Sequence, residues 1–232
     1  MDEMKSEANI IVILGPTASG KTRLAAHVAA AIQGEIISVD SRQVFREMDI
    51  GTGKDYQDYR VGEDMIRCHL VDIAEPGTEY SLYRFQQDFY RALDEIISKG
   101  KVPIACGGTG LYLHGILKGY DLEDVPENKS LRAQLALMTV EELREKLLRT
   151  KVPHNRTDLD DRNRLIRAIE IEEHRKTMRH PGGEGKLTGF QDRSIVFGIQ
   201  FERDVIRERI TRRLEQRLKE GLIEEVNGLL DR

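Results

Sequence analysis

The chain has 232 residues, a length that suits one α/β domain carrying an insertion, or about one and a half domains. It is 39% hydrophobic and 33% charged, an ordinary balance for a soluble protein that can bury a core. Lys and Arg total 36 against 40 Asp and Glu, a net charge of −4, which excludes a protein that coats nucleic acid non-specifically but permits a local basic face.

Residues 1–9 are polar and acidic with no apolar signal core, and no long apolar run follows, so a cytoplasmic protein without a membrane segment is expected. Ile10-Ile11-Val12-Ile13-Leu14 then reads as a buried strand. Directly after it comes Gly15-Pro16-Thr17-Ala18-Ser19-Gly20-Lys21-Thr22, which fits the phosphate-binding loop pattern G-x-x-x-x-G-K-[ST] between a strand and a helix. Gly15 and Gly20 allow backbone angles and close approaches that a Cβ would block. The consecutive N–H groups of such a loop point at an anion, helped by the N-terminal end of the next helix. Lys21 supplies a mobile positive charge, and the Thr22 hydroxyl is placed to ligate a divalent cation such as Mg²⁺. The pattern leaves open which phosphate compound binds and what reaction follows.

Thr22–Ile32 is rich in Ala and Leu and is expected to be helical, with Gly34 ending it. Residues 35–40 read as a second buried strand finishing on the carboxylate of Asp40. Strand, loop, helix, strand predicts a parallel sheet, with Asp40 and Ser41 beside the phosphate loop at the carboxyl ends of the strands. Residues 41–53 form a polar, Gly-punctuated segment expected to line the same crevice. Residues 68–73 predict a third strand and 80–99 an amphipathic helix with Phe85, Phe89, Leu93 and Ile96 on one face. Residues 102–106 predict a fourth strand, running into the glycine turn Gly107-Gly108-Thr109-Gly110. That turn is either a tight strand-to-helix connection or a second phosphate contact through Thr109. Cys68 and Cys106 lie far apart in apolar runs, which favours buried reduced thiols over a disulfide or metal site.

The character changes near Gly119. An acidic, Pro-containing linker at 121–127 leads into helical stretches at 129–138, 140–149 and 158–176, expected to form a helical insertion. A Gly-rich loop at 180–185 precedes a strand at 194–199 that rejoins the sheet. The expected domains are therefore a core at 1–118, an insertion at 119–190 and a return to the core at 191–232. The last helix, predicted over 204–230, carries two stripes. Ile206, Ile210, Leu214, Leu218 and Leu222 are expected to pack on the domain. Arg209, Arg213 and Arg217 run beside them, either as a solvated charged face or as a stripe reaching an anion.

Together these motifs resemble the tRNA dimethylallyltransferase, or isopentenyltransferase, family. The resemblance rests on the phosphate loop, on Ser38-Val39-Asp40-Ser41-Arg42-Gln43-Val44-Phe45-Arg46-Glu47-Met48-Asp49-Ile50-Gly51-Thr52, and on Gly107-Gly108-Thr109-Gly110-Leu111-Tyr112. It extends to Asp161-Arg162-Asn163-Arg164-Leu165-Ile166-Arg167-Ala168-Ile169-Glu170, to Arg209-Ile210-Thr211-Arg212-Arg213 and to Gly221-Leu222-Ile223-Glu224-Glu225-Val226. The motifs occur in the family's order and span almost the whole chain, and the Asp40 segment is more specific than the phosphate loop.

The resemblance implies an α/β, P-loop NTPase-like parallel sheet flanked by helices, with a helical insertion that grips a tRNA anticodon arm. It implies transfer of a dimethylallyl group from its diphosphate to N6 of an adenine beside the anticodon, by a monomer using Mg²⁺. Carried over by motif, Gly15, Pro16, Thr17, Ala18, Ser19, Gly20, Lys21 and Thr22, with Arg213, would hold the diphosphate, and Thr22 the metal. Asp40 would be the base that orients N6, with Lys21, Thr109 and Arg209 as the other catalytic groups. Asp40, Ser41, Arg42 and Gln43 would contact the flipped-out adenine, Thr109 and Arg209 would meet the departing diphosphate or its neighbourhood, with Thr109 also on the tRNA side, and Asn163, Arg164, Leu165, Ile166 and Arg167 would touch the RNA. Arg42 stands where the family commonly has Met, and Val152–Asp160 follows the family loosely. The family runs on with further helices and a basic, aromatic stretch, so the expectation is a chain lacking that C-terminal segment. The rival readings are a small-molecule kinase with Asp40 beside Mg²⁺, an adenylate isopentenyltransferase acting on free nucleotides, and a catalytically silent RNA-binding fragment.

Overall fold

The computed structural model describes residues 10–120, 122–150, 159–177 and 189–231. Two compact units emerge: one holds the described residues up to Tyr120 and from Gly189 onward, the other those from Leu122 to Thr177. The readings for 1–9, for the 180–185 loop and for most of 152–160 lie outside the described residues.

The first unit is built on a parallel five-stranded sheet. In chain order its strands are β1 (Ile10–Leu14), β2 (Gly34–Val39), β5 (Cys68–His69), β6 (Val102–Gly107) and β7 (Ser194–Gly198), in the spatial order β5-β2-β6-β1-β7. A separate antiparallel pair, β3 (Arg60–Val61) and β4 (Asp64–Met65), lies between β2 and β5 in sequence. The apolar runs alternate between two buried faces, as a sheet covered on both sides requires. Ile10, Val12, Ile37, Val39 and Ala105 join one core with Phe85, Phe89, Leu93 and Ile96 of α2 (Leu82–Ser98) and with α3 (Gly110–Lys118). Ile13, Ile36, Ile104 and Cys106 join the other with Ala25, Ala26 and Ala29 of α1 (Lys21–Ile32).

Three local expectations are corrected. Helix α1 ends on Gln33, which takes the left-handed cap at φ 55°, while Gly34 opens β2 because a Cβ there would lie 2.7 Å from the Val102 carbonyl oxygen. The strand expected over 68–73 stops at His69. Leu70 and Asp72 adopt positive φ, and the chain turns to bond the 43–45 segment through Ile73 N–H to Val44 O at 2.8 Å. The single long C-terminal helix is two, α7 (Arg203–Lys219) and α8 (Leu222–Leu230), broken at Gly221 with φ 103°.

A fourth correction concerns which face of α7 packs. Ile206 and Leu222 at the two ends of the expected apolar stripe are half-buried, but Ile210, Leu214 and Leu218 between them remain 39%, 51% and 47% exposed, and α7 has no fully buried residue, whereas Arg213 and Arg217 are half-buried.

The second unit is helical: α4 (Lys129–Leu135), α5 (Val140–Leu148) and α6 (Arg162–Thr177). Leu135, Leu143, Leu147, Leu165 and Ile169 form its core. Thr139 and Glu142 close a reciprocal capping box on α5. Helix α6 starts at Arg162 rather than 158, because the Asp161 carboxylate accepts the Arg164 N–H at 2.9 Å and caps it there.

At the amino end of β2, away from the phosphate loop, the Glu35 carboxylate is buried at 3% side-chain exposure. Burial alone would raise its pKa. The hydrogen bonds from Lys101 and His69 and the nearby Lys99 outweigh that and hold it at about 2. A carboxyl depressed in the folded state stabilises the fold above its ordinary pKa, and that contribution disappears as pH falls toward 2. Glu35→Gln is therefore expected to lose about 2 kcal/mol at neutral pH. Urea denaturation at pH 7 and pH 3 checks this: the gap between parent and variant should narrow at the lower pH.

Candidate functional site: a phosphate loop beneath an arginine face

Three adjacent strands end together. Leu14 and Val39 both pair in register with Gly107, so the segments leaving β1, β2 and β6 emerge side by side: the phosphate loop, the Asp40 turn and the Gly108–Thr109 turn. This is the crevice beyond the carboxyl ends of a parallel sheet, where such folds bind ligands.

The loop carries left-handed residues at Ala18 (φ 59°) and Gly20 (φ 81°), just before the start of α1. That helix begins on Gly20 without a side-chain cap and has no acidic residue in its first turn, leaving its orphan N–H groups and positive end for an anion. Gly15 admits Ser19 Oγ, which a Cβ would meet at 2.9 Å. Ser19 Oγ is buried without a hydrogen-bond partner among the described residues. Lys21 Nζ donates to Pro16 O at 3.2 Å. Burial and, to a smaller degree, the Arg213 charge hold this ammonium below the ordinary lysine range, against the opposing pull of Asp40.

Asp40 caps its own turn: Oδ1 accepts the N–H of Arg42 at 2.8 Å and of Gln43 at 3.3 Å. Ser41 N–H donates to Thr109 Oγ1 at 3.2 Å, so Thr109 ties the β6 turn to the Asp40 turn. Gln43 takes the Ser38 hydroxyl on Oε1 and gives Nε2 to Gly53 O at 3.0 Å. A cavity of about 60 Å³ lies among Thr17, Lys21, Thr22, Asp40, Gln43 and Arg213.

The far wall comes from α7. Arg209 Nε donates to Ala18 O at 2.8 Å, its guanidinium lying over the Phe201 ring at 4.9 Å. Arg213 bonds the Asp55 carboxylate and reaches Gly53 O at 3.5 Å. Arg217 lies 4.0 Å from Asp55. Burial and the neighbouring Arg213 lower its pKa, and its Nη2 has no hydrogen-bond partner among the described residues. These arginines, with Lys21, Arg23 and Arg212, line a second cavity of about 630 Å³ whose acidic members are Asp55, Asp58 and Glu220. The cavity is thus strongly cationic, suited to a polyphosphate or a sugar–phosphate backbone. Among the described residues no group of three or more His, Cys, Asp and Glu side chains is arranged to hold a metal.

The sequence-derived residues Gly15 to Thr22, Asp40 to Gln43, Thr109, Arg209 and Arg213 thus meet at one site. Asn163 to Arg167 lie on α6 of the second unit. There Asn163 and Arg164 are exposed, while the Leu165 side chain is fully buried in the core and packs rather than faces solvent. Arg167 bonds Glu170 and donates to Val125 O at 2.8 Å, and Arg162 donates to Ala136 O at 2.6 Å, so both brace the unit itself. The sequence reading assigned no role to Lys54 or Asp55, and Glu225 entered only as a member of the Gly221–Val226 motif, without a role of its own. Lys54 is wholly buried, bonding Phe45 O at 2.6 Å, Asp49 at 2.8 Å and Asp72. No spacing rule flags it: Asp49, Phe45 and Asp72 stand five, nine and eighteen residues away, and only the turns of the fold bring them onto one ammonium.

A strand, a glycine loop at a helix N-terminus and a cationic wall define a phosphate-loop protein with a P-loop NTPase-like core. Comparison with protein families is more specific: residues 43–232 match a family described as IPP transferase and residues 8–71 one described as isopentenyl transferase. The chain is 50% identical over 221 residues to tRNA dimethylallyltransferase 1 of Parabacteroides distasonis, covering 95% of this chain and 71% of that protein. It is 52% identical over 224 residues to tRNA dimethylallyltransferase 2 of Syntrophotalea carbinolica, covering 96% and 72%. The full-length tRNA isopentenylpyrophosphate transferase of Bacillus halodurans superimposes with a TM-score of 0.62 at 33% identity, over 97% of this chain and 70% of that one. A eukaryotic dimethylallyltransferase acting on tRNA shares the fold at a TM-score of 0.74 and 22% identity, over 96% and 56%. The chain belongs to the IPP transferase (tRNA dimethylallyltransferase) family, which sets the small-molecule kinase reading aside.

Gly53 offers a direct test of the arginine wall. Its φ is +72°, and an added Cβ would fall 1.8 Å from Arg217 Nη2 and 2.6 Å from Arg213 Nη2. Gly53→Ala should displace both guanidinium groups and weaken binding of magnesium diphosphate about tenfold, the scale of one charge-assisted bond. Titration calorimetry measures it, and unchanged affinity would mean that these arginines do not meet the anion.

Proposed function

We propose that the chain transfers a dimethylallyl group from dimethylallyl diphosphate to N6 of an adenine adjacent to the anticodon of tRNA. The observation that carries this reading is the meeting of the phosphate loop and the Asp40–Gln43 turn at the ends of β1 and β2, the two strands that flank β6, with Lys21 close enough to Asp40 for the two charges to interact. Family membership and relatives named as tRNA dimethylallyltransferases support it.

In this reading the allylic C–O bond breaks, an N6–C bond forms, and diphosphate leaves with the bonding electrons. Charge accumulates on the diphosphate, and the amides of the loop, Lys21, Arg209 and Arg213 face it in a site where such groups act strongly. The N6 amine is a weak nucleophile. The Asp40 carboxylate accepts its N–H, fixes its direction and takes the proton as the new bond forms. Gln43 and Ser41 hold the adenine edge, and Thr109 steadies their turn. Thr22 lines the 60 Å³ cavity, and its hydroxyl is a hard oxygen donor that fits Mg²⁺ bound chiefly by phosphate and water. Bound there, Mg²⁺ supplies neutralising charge to the diphosphate. The second unit serves the RNA, with exposed Asn163 and Arg164 as its contacts. The protein works as a monomer in the cytoplasm; among the described residues no helix is long and apolar enough to cross a membrane.

Incubation with labelled dimethylallyl diphosphate and tRNA, AMP or no acceptor tests the reading. Label is expected in tRNA alone; label in AMP would assign the enzyme to free nucleotides, and none in either would leave an RNA-binding protein. Lys21→Ala should slow transfer by about two to three orders of magnitude with little effect on folding. Asp40→Asn should bind donor nearly normally yet transfer slowly, the loss lying in turnover. A large loss of Mg²⁺-dependent donor affinity would instead make Asp40 a metal-side residue.

The two arginines on α6 should separate by role. Arg164→Ala should weaken tRNA binding and reduce its salt slope by about one. Arg167→Ala removes a partner of Glu170, which stands at about 2 because hydrogen bonds from Arg132, Asn128 N–H and Arg167 outweigh its burial. That variant should chiefly lower the melting temperature. Filter binding across a salt series, beside thermal melts, distinguishes the two.

A further inference from the structure

Helix α8 contributes no buried residue, yet one of its side chains reaches into the site's supporting loop. The Glu225 carboxylate collects three consecutive backbone amides: Oε2 accepts from Asp49 N–H at 3.0 Å and Ile50 N–H at 2.7 Å, and Oε1 from Gly51 N–H at 2.9 Å. Successive N–H groups converging on one anion form a strong, directional anchor. It closes a tight turn, for Gly53 N–H returns to Asp49 O at 2.9 Å. From the turn the contacts run directly to the proposed acceptor residues. Gly53 O receives Gln43 Nε2 at 3.0 Å, and Gln43 N–H donates to Asp40 Oδ1 at 3.3 Å.

We propose that Glu225 is a positioning residue for the acceptor base. By gathering the amides of residues 49–51 it sets the Gly53 carbonyl, which orients the Gln43 side chain beside Asp40. Lys54 holds the same turn from the core side through Phe45 O and Asp49. Glu225 holds it from the opposite end of the sequence, so the acceptor turn is ordered only while α8 is docked. The phosphate loop leaves β1 and takes part in none of these hydrogen bonds; the donor side meets the turn only through the arginine wall, where Arg213 Nη2 reaches the same Gly53 O at 3.5 Å. The inference rests on the reading that Asp40–Gln43 holds the acceptor.

The test uses the full chain with tRNA and dimethylallyl diphosphate. Glu225→Gln places an N–H₂ against backbone N–H groups, Glu225→Ala removes the anchor, and Glu225→Asp keeps the charge on a shorter arm. The expected result is an acceptor KM raised about tenfold or more in the Gln and Ala variants, the scale of losing charged hydrogen bonds. The Asp variant should recover part of it. Donor KM and magnesium diphosphate affinity should change several-fold less than acceptor KM, because the donor side meets this turn only through Arg213 and Arg217, melting temperature should shift little, and amide-exchange protection at residues 49–51 should fall. Gln43→Ala runs alongside. If Gln43→Ala raises acceptor KM and the Glu225 variants do not, the inference is overturned while the acceptor reading stands. If Gln43→Ala leaves acceptor KM unchanged, the acceptor reading fails and the inference with it. A drop in melting temperature with donor and acceptor affinities falling in parallel also overturns it, since a merely structural brace behaves that way.

Discussion

Strand β6 lies between β2 and β1, and at its last residue the packing is so close that a Cβ on Gly107 would come 2.0 Å from the Val39 carbonyl oxygen. Only glycine permits that approach. Because the three strands are parallel and in register there, their exits share one edge, and each exit brings a different group to it. Parallel neighbours cannot be joined by a tight turn, so α1 and α2 are needed as crossovers, and these helices cover the faces on which the sheet depends. The Thr109 N–H to Val39 O bond at 3.4 Å and the Ser41 N–H to Thr109 Oγ1 bond then fasten the exits to one another.

On that scaffold the electrostatics are deliberately unbalanced. Lys21, Arg209, Arg213 and Arg217 crowd the phosphate loop, and Asp55 is the carboxylate that Arg213 bonds and that Arg217 approaches. Burial and its like-charged neighbour weigh on Arg217, just as burial and Arg213 weigh on Lys21. Like charges held together without a full set of counter-ions lie high in energy, and an arriving diphosphate relieves that repulsion. A leaving group that gains negative charge relieves it further, which is the differential binding a transferase needs.

The parts of this arrangement that were legible in the sequence are those built from neighbours in the chain. The strand and loop at 10–22, the helix carrying Phe85, Phe89, Leu93 and Ile96, and the turn at 107–110 all follow from short-range pattern and backbone need. The rest depends on partners that pattern cannot see. Gln33 rather than Gly34 takes the left-handed cap because Gly34 is needed against Val102. The strand at 68–69 ends early because Asp72 and Ile73 are bonded to the 43–44 backbone. Lys54 looks like an ordinary surface charge in sequence, Glu225 stands in a motif that says nothing of its partner, and only the fold brings Glu225 to amides some 175 residues away.

Helix α7 shows why periodicity alone misjudged the packed face. The surface it meets is not apolar: it presents the carbonyls of Ala18 and Gly53 and the carboxylate of Asp55. A leucine set against those groups would leave acceptors unpaired, at a cost that outweighs its own burial. A guanidinium offers five donors in a planar fork and buries its stem along the way, so the row Arg209, Arg213, Arg217 wins the inner face. Helix α8 solves the complementary problem, since the 49–51 turn presents N–H groups and a carboxylate answers them. The two helices are therefore held by matched hydrogen-bonding groups rather than by a hydrophobic stripe. The same contacts hold the 49–53 turn, whose Gly53 carbonyl accepts the Gln43 side chain, so the docking of the helices reaches the Asp40 side of the crevice through that hydrogen bond.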